Sequence, residues 1–205
     1  MEHLWYASFG SNLSWARFDK YLKGGSAELA SHSFEPGARD PSDPIDETVI
    51  TLDREMFFAY QAQKWDGGGV AFLASDRSEN ETICRVYKIT IQQFEDVHMQ
   101  ESGRDEPAEL DVEELLAAGS VQQYDSLYGL ALLVGEHSDG LPIVTITTAR
   151  TDLELNSPSV GYAATIALGL VESTAINPED AVDYVLSKNG VDTSLRKADV
   201  LEAMA

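Results

Sequence analysis

One cysteine, Cys84, is all that 205 residues contain. No internal disulfide can form, and a cysteine-based metal site is excluded. Cys84 lies in a strand-like run, where a buried and inert thiol is expected. Positive charge is also scarce: 14 lysines and arginines face 35 aspartates and glutamates, a formal net charge of −21. A protein that meets nucleic-acid phosphates needs a basic face, so the balance argues against nucleic acid as a partner and disfavours anionic lipid on the same ground. Solubility in a salty medium, where screening quiets self-repulsion, accounts for the acidity more simply than a cationic partner does. Long hydrophobic runs are missing too. The longest weakly polar stretch, residues 160–171, is too short and too glycine-interrupted to span a membrane. The N-terminus has neither the basic region nor the long apolar region of a secretion signal. A cytoplasmic protein with no membrane partner is expected.

Motifs of the common cofactor chemistries are absent as well. There is no Walker A sequence, and the glycine triplet 67–69 lacks the GxGxxG spacing. The four histidines, at 3, 32, 98 and 137, show no HExxH or HxxxH spacing. Glu95 and His98 match half of a di-iron carboxylate pair, but a second copy is missing, so His98 reads as a helix residue packed against a sheet. Ser11 resembles a hydrolase nucleophile elbow only loosely, because Asn12-Leu13 replaces the second glycine of GxSxG.

What is present begins at residues 3–13, HLWYASFGSNL. This reads as an apolar strand that breaks at Phe9-Gly10-Ser11-Asn12 and enters a helix. Gly10 permits a sharp turn, and Ser11 and Asn12 are turn and capping residues. Together they form a cup of unpaired backbone N–H groups, able to bind a carboxylate or phosphate without a basic side chain. Apolar spacing then predicts a helix over 14–22, stopped by Gly24-Gly25. Residues 26–47, rich in Pro, Gly, Asp and Ser, read as a long surface loop, a lid or an insertion. Two β-rich runs, 48–52 and 56–62, suit a hairpin or bent strand. Three glycines precede the apolar strand 70–73 and permit close approach of a ligand or of another chain segment.

Residues 82–89 predict a strand with Ile83, Arg85, Tyr87 and Ile89 on one face. A capping box at Thr90-Ile91-Gln92-Gln93 opens a helix through Glu101. Its apolar face carries Ile91, Phe94, Val97 and His98 and ends on Glu101. From periodicity alone, an exposed helix end is the simpler reading of that carboxylate. Half-burial would instead make it a usable proton acceptor near neutral pH. A second helix follows Asp111 and ends at Gly119, and strands 128–134 and 141–148 flank a His-Ser-Asp-Gly turn. Ser157 is expected to cap a helix to about Leu170, Asn177-Pro178 to start another closed by Gly190, and Thr193 or Ser194 a last one. Strands first and helices last indicate an α+β fold on a mixed or antiparallel sheet, closed into a barrel or open.

Four pieces, in order, resemble the gamma-glutamylcyclotransferase-like family. Residues 6–13 match its Tyr-Gly-Ser-Asn-Leu signature except that Phe9 replaces the tyrosine. Trp65 followed by glycines and an apolar strand is similar to its second element. Gln100-Glu101 resembles its Gln-Glu or Arg-Glu pair, and Pro158-Ser159 with Tyr162, Ile166 and Gly169 looks like its Pro-Ser-x-x-Tyr helix. The resemblance implies a small mixed β-barrel with flanking helices, as one domain over 1–205 with a helical C-terminal extension from about 157. It implies cyclisation of a gamma-glutamyl amine or amide to 5-oxoproline with release of the amine, and no metal or cofactor. The family's catalytic glutamate maps on Glu101, which overturns the exposed-end reading. Phe9, Gly10, Ser11, Asn12, Leu13, Gly68, Gly69 and Tyr162 are implied to bind the substrate, a small gamma-glutamyl molecule. The oligomeric state stays open, a homodimer included. The alternative is a non-catalytic binder that uses the same loop for a carboxylate-bearing metabolite or a protein partner.

Overall fold

A computed structural model describes residues 1–25 and 36–205. Its centre is β1 (His3–Ser8), which pairs antiparallel with β5 (Thr82–Thr90) and parallel with β8 (Pro142–Thr147). Both neighbours find further partners. β5 pairs with β2 (Asp46–Leu52), and β8 with β7 (Leu130–Glu136), which pairs in turn with the short β6 (Ser120–Gln122). The result is an open six-stranded mixed sheet, β2-β5-β1-β8-β7-β6. The α+β class agrees with the sequence; closure into a barrel does not, because β2 and β6 remain edges. A separate antiparallel pair is formed by β3 (Met56–Ala59) and β4 (Val70–Leu73). Thr147 links it to the main sheet: its Oγ1 accepts from Leu73 N at 3.0 Å and donates to Leu73 O at 2.8 Å.

Strands 46–52 and 56–59 are therefore not a hairpin. Alternation marked both as strands, but β2 found its partner in β5, and after the 53–55 turn the chain leaves that sheet. The buried carbonyl of Arg54 is held there by Thr82 Oγ1 at 2.6 Å.

β1 is covered on both faces, which explains why five of its six side chains are buried. Leu4 and Tyr6 belong to a core with α1 (Trp15–Lys23), α2 (Ile91–Glu101) and α3 (Val112–Ala118). Trp5 and Ala7 belong to a core with β3, β4, α4 (Val160–Ser173), α5 (Pro178–Leu186) and α6 (Lys197–Ala203). Cys84 lies fully buried in the second core. The capping box of α2 forms as read, and Asp111 and Asn177 cap α3 and α5.

Two helix starts differ from expectation. Ser159, not Ser157, caps α4, because the Ser157 carbonyl accepts from Gly69 N at 2.8 Å and keeps that segment extended. α6 begins at Lys197 rather than after Thr193 or Ser194, since Asp192 captures Ser194 N at 2.8 Å in a local turn. The strand β6 was not anticipated; three residues give periodicity little to act on. Of the 26–47 loop, residues 26–35 lie outside the described residues, and β2 begins at Asp46. No helix among the described residues is long and apolar enough to cross a membrane.

Candidate active site

At the C-terminal end of β1 the chain leaves the sheet through Phe9 and Gly10 and makes one 3-10 turn, Ser11–Leu13, before α1. That turn uses Leu13 N and Ser14 N, bonded to Gly10 O and Ser11 O. The N–H groups of Gly10, Ser11 and Asn12 have no backbone acceptor among the described residues, the orphan donors expected of a helical start. Gly10 is not in left-handed backbone, with φ −107°. What it supplies is space, because a Cβ there would sit 3.3 Å from Tyr162 Oη and 3.5 Å from Ala71 Cβ.

The turn is held from beneath by β5. Tyr87 Oη donates to Asn12 O at 3.0 Å and Arg85 Nη1 to Leu13 O at 3.1 Å. Arg85 is 6% exposed, and such a charge requires partners. It has Glu172 of α4 at 2.7 Å and Glu47 of β2 at 2.8 Å. Glu172 also accepts from Trp15 N at 3.1 Å, so one ion-pair network fastens β2, β5, α4 and the start of α1 around the turn.

Glu101, half-buried at the last turn of α2, reaches the same place. Asn12 Nδ2 donates to Glu101 Oε1 at 2.9 Å and lies 3.2 Å from Tyr6 Oη. The Tyr21 hydroxyl also bonds the Glu101 side chain. These contacts fix the Asn12 amide, whose Oδ1 is then buried with no donor among the described residues. An unpaired buried acceptor costs about 1–3 kcal/mol, and a ligand donor would recover it.

The turn and Glu101 line one small cavity with Tyr6, Ser8, Arg17, Lys64, Trp65 and Tyr162, among others. About 40 Å³ of it is reachable by the centre of a water molecule, room for roughly three waters at ~10–15 Å³ each. Burial pushes the Tyr162 hydroxyl up to about 12, so it stays protonated at neutral pH, and it accepts from Ala71 N at 3.2 Å. Burial, then the nearby Glu101 charge, raises the pKa of Tyr6 and Tyr21 as well.

Of the residues inferred from sequence, Phe9, Gly10, Ser11, Asn12, Glu101 and Tyr162 come together on this cavity. Leu13, Gly68 and Gly69 do not line it. Leu13 faces inward, packed in the core. A Cβ on Gly69 would lie 1.9 Å from Asn156 O, and one on Gly68 2.3 Å from Ser159 N. The glycines thus admit another chain segment rather than a ligand, and they place the cap of α4 and with it Tyr162.

The cup also has basic side chains, which the sequence reading did not name. Arg17, 4% exposed, donates from Nε to Ser11 Oγ at 2.8 Å and lies over the Trp65 ring, 5.2 Å from its centroid. The signal for it was in α1, where the buried residues are Arg17, Phe18, Tyr21 and Leu22: an arginine on the inward stripe. Lys64 had no such signal, since it sits in a 3-10 turn, Gln63–Trp65. Burial lowers its pKa, opposed by the Glu101 charge. Among the described residues no group of three or more His, Cys, Asp or Glu is placed to hold a metal ion.

No family model matches the chain. Solved structures do. The chain is similar over 98% of its length to a structure named gamma-glutamyl cyclotransferase, at 18% identity and TM-score 0.52, covering 99% of that chain. A second, an uncharacterized protein from Homo sapiens, matches over 98% of this chain and 99% of its own at 19% identity and TM-score 0.51. Among curated proteins, histone deacetylase 5 of Arabidopsis thaliana is 31% identical over 201 residues, 89% of this chain. The chain spans about 30% of that relative's length, so the relative's name describes a protein that lies mostly outside the match.

Proposed function

We propose that this chain, which has the gamma-glutamyl cyclotransferase-like fold, cyclises a gamma-glutamyl amine or amide to 5-oxoproline and releases the amine, with Glu101 as general acid and base. The observation that carries the reading is the 2.9 Å bond from Asn12 Nδ2 to Glu101 Oε1. It joins the anion-binding turn to the carboxylate across 89 positions of sequence, and in a protein that only bound a carboxylate a half-buried glutamate at the cup would have no task.

The chemistry needs no enzyme nucleophile, because the substrate's own α-amine is one. The turn's N–H groups hold the α-carboxylate, with the Arg17 guanidinium adding positive charge. Asn12 Oδ1 accepts from the α-ammonium and Glu101 takes a proton from it. The freed nitrogen attacks the γ-carbonyl carbon, closing a five-membered ring. Ring closure frees a second proton from the same nitrogen. Returned through Glu101, the two protons convert the leaving nitrogen to an ammonium as its C–N bond breaks. Folding an extended glutamyl chain into this small space supplies much of the rate, since it fixes the two reacting atoms of one molecule together.

A screen of gamma-glutamyl compounds for 5-oxoproline formation tests the proposal directly; release from none of them would overturn it. A second expectation concerns the turn. Gly10→Val should fold, because the nearest neighbours of the added Cβ, Tyr162 Oη at 3.3 Å and Ala71 Cβ at 3.5 Å, line the cavity, yet it should weaken substrate binding by roughly tenfold or more as it pushes on them. Wild-type KM in that variant would count against the turn as the binding element.

A further inference from the structure

Among the charged residues that line the cavity, Arg17, Lys64 and Glu101, only Lys64 has no task in the reaction above. The turn's amides and Arg17 are used by the α-carboxylate, Asn12 Oδ1 and Glu101 by the α-ammonium. Lys64 lines the same cavity, is half-buried, and makes no hydrogen bond or ion pair among the described residues. Its neighbouring charges are Glu101, which is bonded to Asn12 and Tyr21, and the like-charged Arg17. A partly dehydrated cation without a counterion is unfavourable. A chain with 35 acidic residues had ample means to supply one. Among the described residues the ammonium has no bonded counterion of its own, and one that arrives with the ligand would supply it.

Elimination fixes which part of the ligand that is. Both charged groups of the glutamyl head are already partnered, so the group left for Lys64, which lines the same cavity and keeps some contact with solvent, lies on the leaving side. We infer that Lys64 is a specificity-determining residue that reads an anionic group on the leaving side of the substrate, so that the site prefers gamma-glutamyl compounds whose released amine carries a carboxylate over those whose released amine is uncharged or cationic elsewhere. The inference rests on the gamma-glutamyl reading of the cavity. Arginine at the position would keep the preference, and an uncharged side chain of similar length would lose it.

The test is a matched pair of ligands, gamma-glutamylglycine and gamma-glutamylmethylamide, which differ by one carboxylate at the leaving end. Titration calorimetry in a Glu101→Gln background measures binding without turnover. The glycine compound should bind about tenfold more tightly. Lys64→Met should collapse that ratio to near one, and Lys64→Arg should restore it. The preference should also fade as pH rises through the lowered pKa of Lys64, whose charged form is lost there, whereas the arginine variant should keep its preference across the same range. Equal binding of the two ligands by the parent protein overturns the inference. So does an equal loss of both in Lys64→Met, which would assign the lysine to the shared glutamyl part. Failure to bind either ligand overturns it together with the gamma-glutamyl reading. Discriminating binding without any 5-oxoproline release by the Glu101 protein removes the cyclisation step and leaves Lys64 its role. Thermal melts of both lysine variants establish that they fold.

Discussion

Replacing Glu101 by glutamine is expected to lower 5-oxoproline release about a hundredfold or more while the fold stays intact. The magnitude is that of a lost general acid–base group, roughly 10²–10⁴ in rate. The substitution isolates that loss because glutamine keeps the volume and an acceptor oxygen, so Asn12 Nδ2 and the Tyr21 hydroxyl, both bonded to Glu101, still have a partner. Tyr6 and Tyr21, whose pKa values burial and the Glu101 charge raise, stay protonated either way and cannot replace the base. Lys64 is the remaining titratable group on the cavity that could accept a proton, so a residual activity that grows with pH in Glu101→Gln and vanishes in the double variant with Lys64→Met would mark it as the substitute. Unchanged turnover in Glu101→Gln would remove the proposed mechanism. A KM that rises while kcat holds would recast Glu101 as a binding group for the α-ammonium.

How much of this was legible in the sequence depends on whether the signal was local. The strand, the Gly-Ser-Asn turn, the capping box of α2 and the place of Glu101 at the end of its apolar stripe are short-range patterns, and each formed as read. Strand partners are not local. β2 and β3 both read as strands, and only the sheet itself shows that β5 takes one and β4 the other. The glycine triplet left two readings open, a ligand or another chain segment, and the backbone of residues 156–159 settles it for the segment. Arg17 was missed because apolar spacing within 14–22 picks out Trp15, Phe18 and Leu22, whereas the buried stripe holds Arg17, Phe18, Tyr21 and Leu22. A charged residue on a buried stripe is among the stronger pointers to a site, but it shows only once the stripe is placed by one residue correctly. The anchoring of the turn by Arg85 was half visible. Arg85 and Tyr87 share one face of β5, and which loop that face would meet is a property of the whole sheet.

Gly169→Ala carries the second large effect, and magnitudes separate its two consequences. Gly169 lies within α4, where it faces the Ser11–Leu13 turn: a Cβ would stand 2.5 Å from the Leu13 carbonyl carbon, the Leu13 Cβ and the Ser14 nitrogen. Two of those atoms are backbone, so no rotamer change relieves the contact. The turn cannot retreat freely either, since Arg85 and Tyr87 hold Leu13 O and Asn12 O from the β5 side. Overpacking of this kind costs about 1–3 kcal/mol, and alanine in a helix interior returns about 0.8–1.0 kcal/mol over glycine. The melting temperature should therefore fall only modestly. Catalysis should fall much further, because a displacement near 1 Å of a positioning group can cost roughly a hundredfold, and the displaced element here carries both the amide cup and Asn12. Gly161 supplies the control. It lies in the same helix, a Cβ there would meet nothing within 4 Å, and Gly161→Ala should leave turnover unchanged with stability the same or slightly higher. If Gly169→Ala instead turned over at the wild-type rate, the close approach of α4 to the turn would be a matter of packing alone, and the geometry of the cup would not be what limits the reaction.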